Sequence, residues 1–346
     1  MVRVGIINVT GYAGAELARL LYAHPEARLT SVTGRSAAGQ PLADVFPHLA
    51  AYDLEVAEEL GDVDFAFSAL PHAASAEAVA PLVRAGLPVV DISADFRLRD
   101  AAEYAEWYGG EHPAPDLLPS AAYGLTELNR EAVKSSRLIA NPGCFPESAL
   151  LALAPAAKAG IIGTDVIIDS KSGLSGAGRG LGLAYHFAEA NESVSAYGLS
   201  GHRHLPEIVQ ELAAMWAKAE APEPPRPKVT FTPHLVPMSR GILSTCYAPL
   251  LPGTVRSGDD ALELYREFYE GEPFVRVVDS SPATKHVAGS NVCLVHPTVD
   301  VRTERLVVVS VLDNLVKGAA GQALQNMNAM LGLPETTGLD VPGVYP

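Results

Sequence analysis

Between residues 2 and 143 the chain alternates short apolar runs with helical patterns: VRVGIINV, AELARLLYAH, RLTSVTG, DFAFSAL, SAEAVAPLVRAG, PVVDIS and RLIANPG. Apolar runs that end in Gly, Ser or Asn and are separated by helix-like stretches build βα units on a parallel sheet. That alternation confines the first part of the chain to an α/β, doubly wound Rossmann-type domain, whose ligands gather beyond the carboxyl ends of its strands. Thr10, Ser36, Pro71, Ser93 and Cys144 fall at those ends. Past residue 145 the pattern changes. VIIDSKSG, KVTFTPHLVP, GILSTCYAPL, FVRVVD, NVCLVHPTVD and RLVVVSVLD alternate more strictly and have fewer helices between them, which predicts an α+β domain with a mixed or antiparallel sheet. The expected division is a dinucleotide-binding domain at 1–145 and a second domain at 146–313. The helical stretch in 314–346 should pack back on the first domain. AKAEAPEPPRPK is a Pro-rich, charged connector inside the second domain.

The 346 residues suffice for two cores. With 25 Lys+Arg against 40 Asp+Glu, the net charge of −15 opposes binding to nucleic acid or to an anionic membrane, so an anionic substrate must meet local positive charge. The apolar runs are too short to span a bilayer and the opening MVRVGIINV lacks the basic region of a secretory signal, so a cytoplasmic protein is expected. Three distant cysteines without a CxxC pair fit neither a disulfide framework nor a zinc site.

GIINVTGYAGAEL joins the first strand to the first helix as a dinucleotide fingerprint does, with Gly11 and Gly14 spaced to let backbone approach a pyrophosphate at the helix N-terminus. Asn8 stands where the usual first glycine would, and Asn tolerates a left-handed backbone. The second strand ends in Gly34-Arg35-Ser36 rather than in the carboxylate expected of an NAD site, which favours NADP.

NPGCFPES puts Cys144 behind a Pro-Gly turn and at the start of an apolar helix. There the helix dipole favours the thiolate, and nearby backbone N–H groups can hold an oxyanion. Cys246 and Cys293 lie in strand-like apolar runs and read as structural. His202 and His204, followed by Glu207, precede another helix; no third ligand stands near them, so acid–base work is favoured over metal binding. Arg97, in SADFR after the fourth strand of the pattern, could hold a phosphate. The glycine-rich SKSGLSGAGRG carries Lys171, Ser172, Ser175 and Arg179 and follows a buried-looking strand.

In order and spacing, the GYAG turn, LPH at 70–72, SADFRL, NPGC, SKSGLSGAGR, HRHLPEI, PMSRGIL and the terminal GLDVPGVYP together resemble the N-acetyl-γ-glutamyl-phosphate reductases of arginine biosynthesis, relatives of aspartate-semialdehyde dehydrogenase. The resemblance covers nearly the whole chain. It implies NADPH-dependent reduction of an acyl phosphate through a thioester on Cys144, with His202 as acid–base catalyst. Arg97, Asn141, Lys171, His204 and Glu207 would support catalysis or bind substrate. The cofactor NADP(H) would meet Thr10, Gly11, Tyr12, Ala13, Gly14, Arg35, Ser36, Pro71, Ser175, Gly176 and Asn314. The partners implied are the small acyl phosphate, inorganic phosphate and further copies of the chain in a homodimer or homotetramer. Glu147 departs from the pattern, and a carboxylate there is expected to face away from the thiol, whose pKa it would otherwise raise.

Two other readings compete. One is reduction of the equivalent aminoadipyl phosphate of lysine biosynthesis on a carrier protein, which a chain at −15 attracts poorly when the carrier is acidic. The other is a non-catalytic NADP-binding redox sensor, which leaves His202, Arg97 and the Lys171 loop without a purpose.

Overall fold

The computed structural model describes residues 1–217 and 226–345. Most of the Pro-rich connector lies outside the described residues. The chain divides into two compact units, one of Met1–Gly143 with Ala319–Val341 and the other of Cys144–Gly318 with the chain from Pro342 onward.

The first unit holds β1 (Val2–Ile7), β2 (Ala27–Thr33), β3 (Val56–Ala57), β4 (Phe65–Ser68), β5 (Val89–Asp91), β6 (Ala121–Tyr123) and β7 (Leu138–Ala140). Their order is β3-β2-β1-β4-β5-β7-β6, and every pairing is parallel. Between them run α1 (Tyr12–Tyr22), α2 (Leu42–Val45), α3 (Ala74–Arg84), α4 (Ala101–Tyr108) and α5 (Thr126–Ser135). FAFS of β4 and VVD of β5 are buried throughout, as expected of strands covered on both faces. This is the doubly wound domain the alternation predicts. The sequence reading did not mark β3 and β6, which, unlike the equally short β5 and β7 in PVVDIS and RLIANPG, do not stand in one of the apolar runs singled out.

The second unit holds β8 (Asp165–Ser172), β9 (Ser195–Ala196), β10 (Lys228–Leu235), β11 (Ile242–Pro249), β12 (Val275–Val277), β13 (Cys293–Asp300) and β14 (Arg305–Leu312). The order is β12-β13-β14-β11-β8-β10-β9. The sheet is mixed: β8 with β10 and β12 with β13 are parallel, and the other pairs are antiparallel. Its helices are α6 (Cys144–Ala159), α7 (Phe187–Ala190), α8 (Leu205–Trp216) and α9 (Gly258–Phe268).

Helix α6 is the spine of this unit, buried from Phe145 to Ala157. Pro146 sits in the first turn, where its missing N–H costs nothing, but Pro155 lies inside and removes the bond to the Leu151 carbonyl. The hydroxyl of Tyr269 donates to that oxygen at 2.5 Å, and Tyr265 donates to the Ala152 oxygen at 2.7 Å. Ser148 fixes the helix to the sheet through buried hydroxyl contacts with Ser244 of β11, 2.9 Å away, and Ser310 of β14, 2.5 Å away. Ser170 of β8 joins the chain at Ser244, 2.7 Å away. The face of the sheet bearing Ser170, Ser244 and Ser310 is therefore the one α6 covers.

The chain returns to the first unit in α10 (Gly321–Met330), which is buried although rich in amides. Those amides are paired: Gln322 donates to the Gly124 oxygen, Asn326 to the Asn141 side chain, and Asn328 bonds the buried His24. Among the described residues no helix is long and apolar enough to cross a membrane.

Candidate active site

Functional groups gather in each unit separately. In the first, Asn8 adopts φ +67°, the left-handed backbone that ends β1. Its amide donates to the Ala69 oxygen at 2.8 Å and its Oδ1 accepts from Thr10 at 3.0 Å, so one side chain ties the ends of β1 and β4 to the turn. Gly11 caps α1. Gly14 has no room for a side chain, because a Cβ would lie 2.6 Å from the Asn8 carbonyl and 2.8 Å from Val9 Cα. The glycine spacing thus brings the head of α1 close to β1. Tyr12 and Ala13 open that helix.

Beside the turn lies a cleft of about 550 Å³, lined among others by Asn8, Gly34, Arg35, Ser36 and Pro71. It sits beyond the carboxyl ends of β1, β2 and β4, the place a doubly wound sheet reserves for a ligand. A Cβ on Gly34 would strike Thr10 at 2.7 Å, so both glycines keep this end of the sheet narrow. Arg35 and Ser36 are exposed. These features fit a dinucleotide: bare backbone at a helix start, with a cation and a hydroxyl on the wall of the cleft. Glu58 and Glu77 also line the cleft, and no sequence motif had marked them.

The SADFR segment is built into the fold. Asp95 accepts from Ala73 N and Ala76 N at the head of α3 and from the Tyr104 hydroxyl. Arg97 is buried, donating from Nε to the Asn141 oxygen at 2.8 Å and from a terminal nitrogen to the Ile92 oxygen at 2.7 Å. Asn141 is fully buried, and its amide donates to the Ala319 oxygen at 3.2 Å while accepting from Asn326 at 3.0 Å. Arg97 and Asn141 therefore shape the turn that precedes Cys144.

In the second unit Cys144 is the first residue of α6 and is partly exposed, whereas Cys246 and Cys293 are buried. Burial pushes the Cys246 thiol up to about 12. The ring of Phe145, next to Cys144, packs edge-on against His202 and His204 with centroids 5.8 and 5.9 Å apart. Tyr197 and Phe231 complete an aromatic surround of His202 at 5.5 and 5.4 Å. Burial, helped by the Arg203 charge, pushes the His202 imidazolium down to about 4. The Nδ1 of His202 accepts from the His204 backbone N–H at 3.1 Å, which leaves the proton of the neutral ring on Nε2. Burial raises the pKa of Tyr197, with the Cys144 charge a further cause. Tyr197 carried no sequence signal beyond a lone aromatic in a glycine-rich stretch.

His204 precedes α8 and Glu207 is buried in its first turn. The glycine-rich loop is fixed as far as Gly176: Leu174 N donates to the Met238 oxygen, Ser175 N to the Ser239 oxygen, and Asn314 bridges Gly241 N and the Ser175 hydroxyl at 2.7 and 2.9 Å. A Cβ on Gly176 would meet Ser172 Oγ at 2.8 Å. Lys171 stands apart. Strand alternation turns it away from the face that carries Ser170 and α6, and it pairs with Asp169 at 3.0 Å. Glu147 is buried and not solvated: it lies 3.5 Å from Lys317, and both side chains are 0% exposed.

Residues 3–136 match the semialdehyde dehydrogenase NAD binding domain, and residues 144–314 match the semialdehyde dehydrogenase dimerisation domain. Among solved structures, aspartate semialdehyde dehydrogenase II of Vibrio cholerae, complexed with ASA, is similar in fold, with a TM-score of 0.68 at 18% identity over 96% of this chain and 98% of that one. Aspartate semialdehyde dehydrogenase with NADP from Candida albicans gives 0.67 at 19%, over 96% and 98%. These likenesses define the class by fold: the two domains are those that semialdehyde dehydrogenases share.

An N-acetyl-gamma-glutamyl-phosphate reductase of Dehalococcoides mccartyi (strain CBDB1) is 54% identical over 99% of each chain, and that of Heliobacterium modesticaldum (strain ATCC 51547 / Ice1) is 49% identical over 100% of each. The chain belongs to the N-acetyl-gamma-glutamyl-phosphate reductase family. The aminoadipyl and redox-sensor readings are not favoured by these relatives.

Proposed function

We propose that this protein reduces N-acetyl-γ-glutamyl phosphate to N-acetylglutamate semialdehyde and inorganic phosphate in arginine biosynthesis, in the cytoplasm, with NADPH as donor. The observation that carries the reading is a partly exposed thiol at the head of a buried helix, whose neighbouring ring packs on a neutral histidine, in a chain this close to reductases of that name.

The Cys144 thiolate attacks the acyl carbon, and a C–S bond replaces the C–O bond to phosphate. Phosphate leaves with the bonding pair and takes up one proton. A nicotinamide cofactor, when bound, would supply the hydride that brings the thioester carbon to the aldehyde level. Collapse of that adduct breaks the C–S bond and restores the thiolate. In this reading His202, with its proton on Nε2, donates to the oxygen that bears negative charge at each tetrahedral stage. His204 supplies the backbone N–H that selects this tautomer, and Glu207 supports the same helix start. The head of α1, from Gly11 to Gly14 with Thr10, Tyr12 and Ala13, would hold the pyrophosphate. Pro71 would close the cleft, and Ser175, Gly176 and Asn314 form a further proposed cofactor contact. Arg97 and Asn141 support the turn before the thiol. Lys171, paired with Asp169, would bear on substrate only through that partly exposed charge. The reverse assay tests the whole: semialdehyde, phosphate and NADP should yield NADPH only when phosphate is present.

Arg35 and Ser36 support NADP over NAD, while Glu58 and Glu77 in the same cleft suit the ribose hydroxyls of NAD. Arg35→Asp is expected to cut the NADP:NAD preference in kcat/KM by about tenfold or more, the worth of one charged contact. An unchanged ratio places the 2′-phosphate elsewhere.

Self-association through the second unit is proposed as well. Leu181, Leu183, Phe187, Val194 and Leu199 are 63–105% exposed within nineteen residues of the segment matched as a dimerisation domain. A cluster this apolar on a single protomer suits burial against a second copy. Phe187→Asp is expected to lower the assembly state in light scattering, and an unchanged mass would remove this segment from the interface.

A further inference from the structure

The buried pair of Lys317 and Glu147 has no part in the chemistry above, yet removing two charges from water is costly unless their arrangement is well fixed. Glu147 follows Cys144 by three residues in α6, a spacing that puts both side chains on one face of the helix. Lys317 lies in a π-turn, Val316–Ala320, with its ammonium 5.8 Å from the Phe274 ring centroid. The next residue, Gly318, is pressed against the thiol residue: a Cβ there would stand 2.8 Å from Cys144 Cβ and 3.3 Å from its Cα. The turn is anchored on buried Asp313. That carboxylate accepts from Leu315 N, Val316 N and Gly289 N at 2.9, 3.1 and 2.7 Å and lies 3.5 Å from Arg240, while Gly318 N donates to the Asp313 backbone oxygen at 2.9 Å.

We propose that the turn Val316–Ala320 is the positioning device for Cys144: Gly318 sets the place of the thiol by contact, and Lys317 anchors the first turn of α6 through Glu147 and cancels that carboxylate's field at the sulfur. Lys317 and Gly318 are positioning residues, not catalytic ones. The inference rests on Cys144 as nucleophile. Of the titratable groups on neighbouring elements, Tyr197 feels the Cys144 charge, and the His202 and His204 rings pack on Phe145 beside it, with Arg203 acting on His202. None of these belongs to the turn, so changing the pair leaves them in place.

The test is the pH dependence of iodoacetamide alkylation of Cys144 in the full-length protein, read by peptide mass spectrometry. Glu147→Gln leaves a cation beside the thiol and is expected to lower the alkylation midpoint by about one pH unit; Lys317→Met leaves an anion and should raise it by about as much. The double variant, which carries neither charge, should return the midpoint to the wild-type value. Gly318→Ala should lower kcat by about tenfold or more with the KM for NADPH unchanged, because displacement of a reacting atom costs rate and not cofactor affinity. Midpoints that stay fixed, or that move the same way in both single variants, overturn the charge role; a Gly318→Ala kcat within about twofold of wild type overturns the contact role. If the single variants do not fold, Gly318→Ala decides alone. Alkylation of the free enzyme reports on the thiolate whatever its role in turnover, so a failed shift leaves the catalytic assignment intact. Conversely, an active Cys144→Ser would remove that assignment while the shifts persisted.

Discussion

Cys144→Ser is expected to lower turnover by about 10³-fold or more while leaving NADPH affinity unchanged. A serine hydroxyl is far less ionised and less nucleophilic than a thiol in the same place, and its ester is a poorer hydride acceptor than a thioester. The fold should tolerate the change, because the residue heads α6 and is partly exposed, while the buried run begins at Phe145. Cofactor affinity should hold because Cys144 is neither among the residues that line the cleft beside the α1 turn nor among the further proposed cofactor contacts. Steady-state rates with fluorescence titration of NADPH separate the two effects. Comparable activity in the two proteins would reject covalent catalysis.

His202→Asn is the second large effect, a loss in kcat of about 10²–10⁴-fold with cofactor affinity retained. If His204→Asn costs more, the two roles are reversed. The pH behaviour follows from the same site. His202 takes its proton only near pH 4 in the folded protein, against an ordinary value of 6.5, so kcat/KM should show no His202 inflection near pH 6.5 and an acid limb nearer 4. Its folded pKa is depressed, so its contribution to stability is complete above 6.5 and is lost as pH falls toward 4. Asp91 runs the other way: burial raises its carboxyl to about 6, so it favours the folded state below its unfolded value and loses that advantage as pH rises through 6. Between 4 and 6.5 the two oppose each other. His202→Asn leaves Asp91 alone, so the variant's stability by urea titration should hold up better than wild type between pH 7.5 and pH 5. An identical decline in both proteins contradicts the assignment of a neutral, desolvated imidazole.

The strands and helices that were legible in the sequence are those long enough to show a period or, like the short β5, β7 and β12, set in a compact apolar run. VRVGIINV, AELARLLYAH and RLVVVSVLD each became the expected element, and strict alternation in GILSTCYAPL correctly foretold a sheet with one buried face. The two-residue β9 was as invisible as β3 and β6. Local chemistry was legible too, as with the left-handed Asn8 in place of a glycine. Long-range pairing was not. Nothing in CFPES announces that Glu147 will be buried against a lysine 170 residues later; the sequence suggested only that it would face away from the thiol, with no partner named. Lys171 shows a different limit: the glycine-rich motif drew attention to its charge, but only the register of β8 reveals which face it takes. Arg97 was marked by its guanidinium and Asn141 by the resemblance alone, and their placement shows guanidinium and amide nitrogens already bonded within the fold.

The central claim is that the acyl group passes through a covalent bond to the sulfur of Cys144. Rapid mixing of enzyme, acyl phosphate and NADPH, acid quenching within a turnover and peptide mass spectrometry address it most directly. The account predicts an N-acetylglutamyl mass increment on the peptide bearing Cys144, which builds up when NADPH is left out and decays when it is added. An enzyme that turns over fully while that peptide stays unmodified at every time point contradicts it.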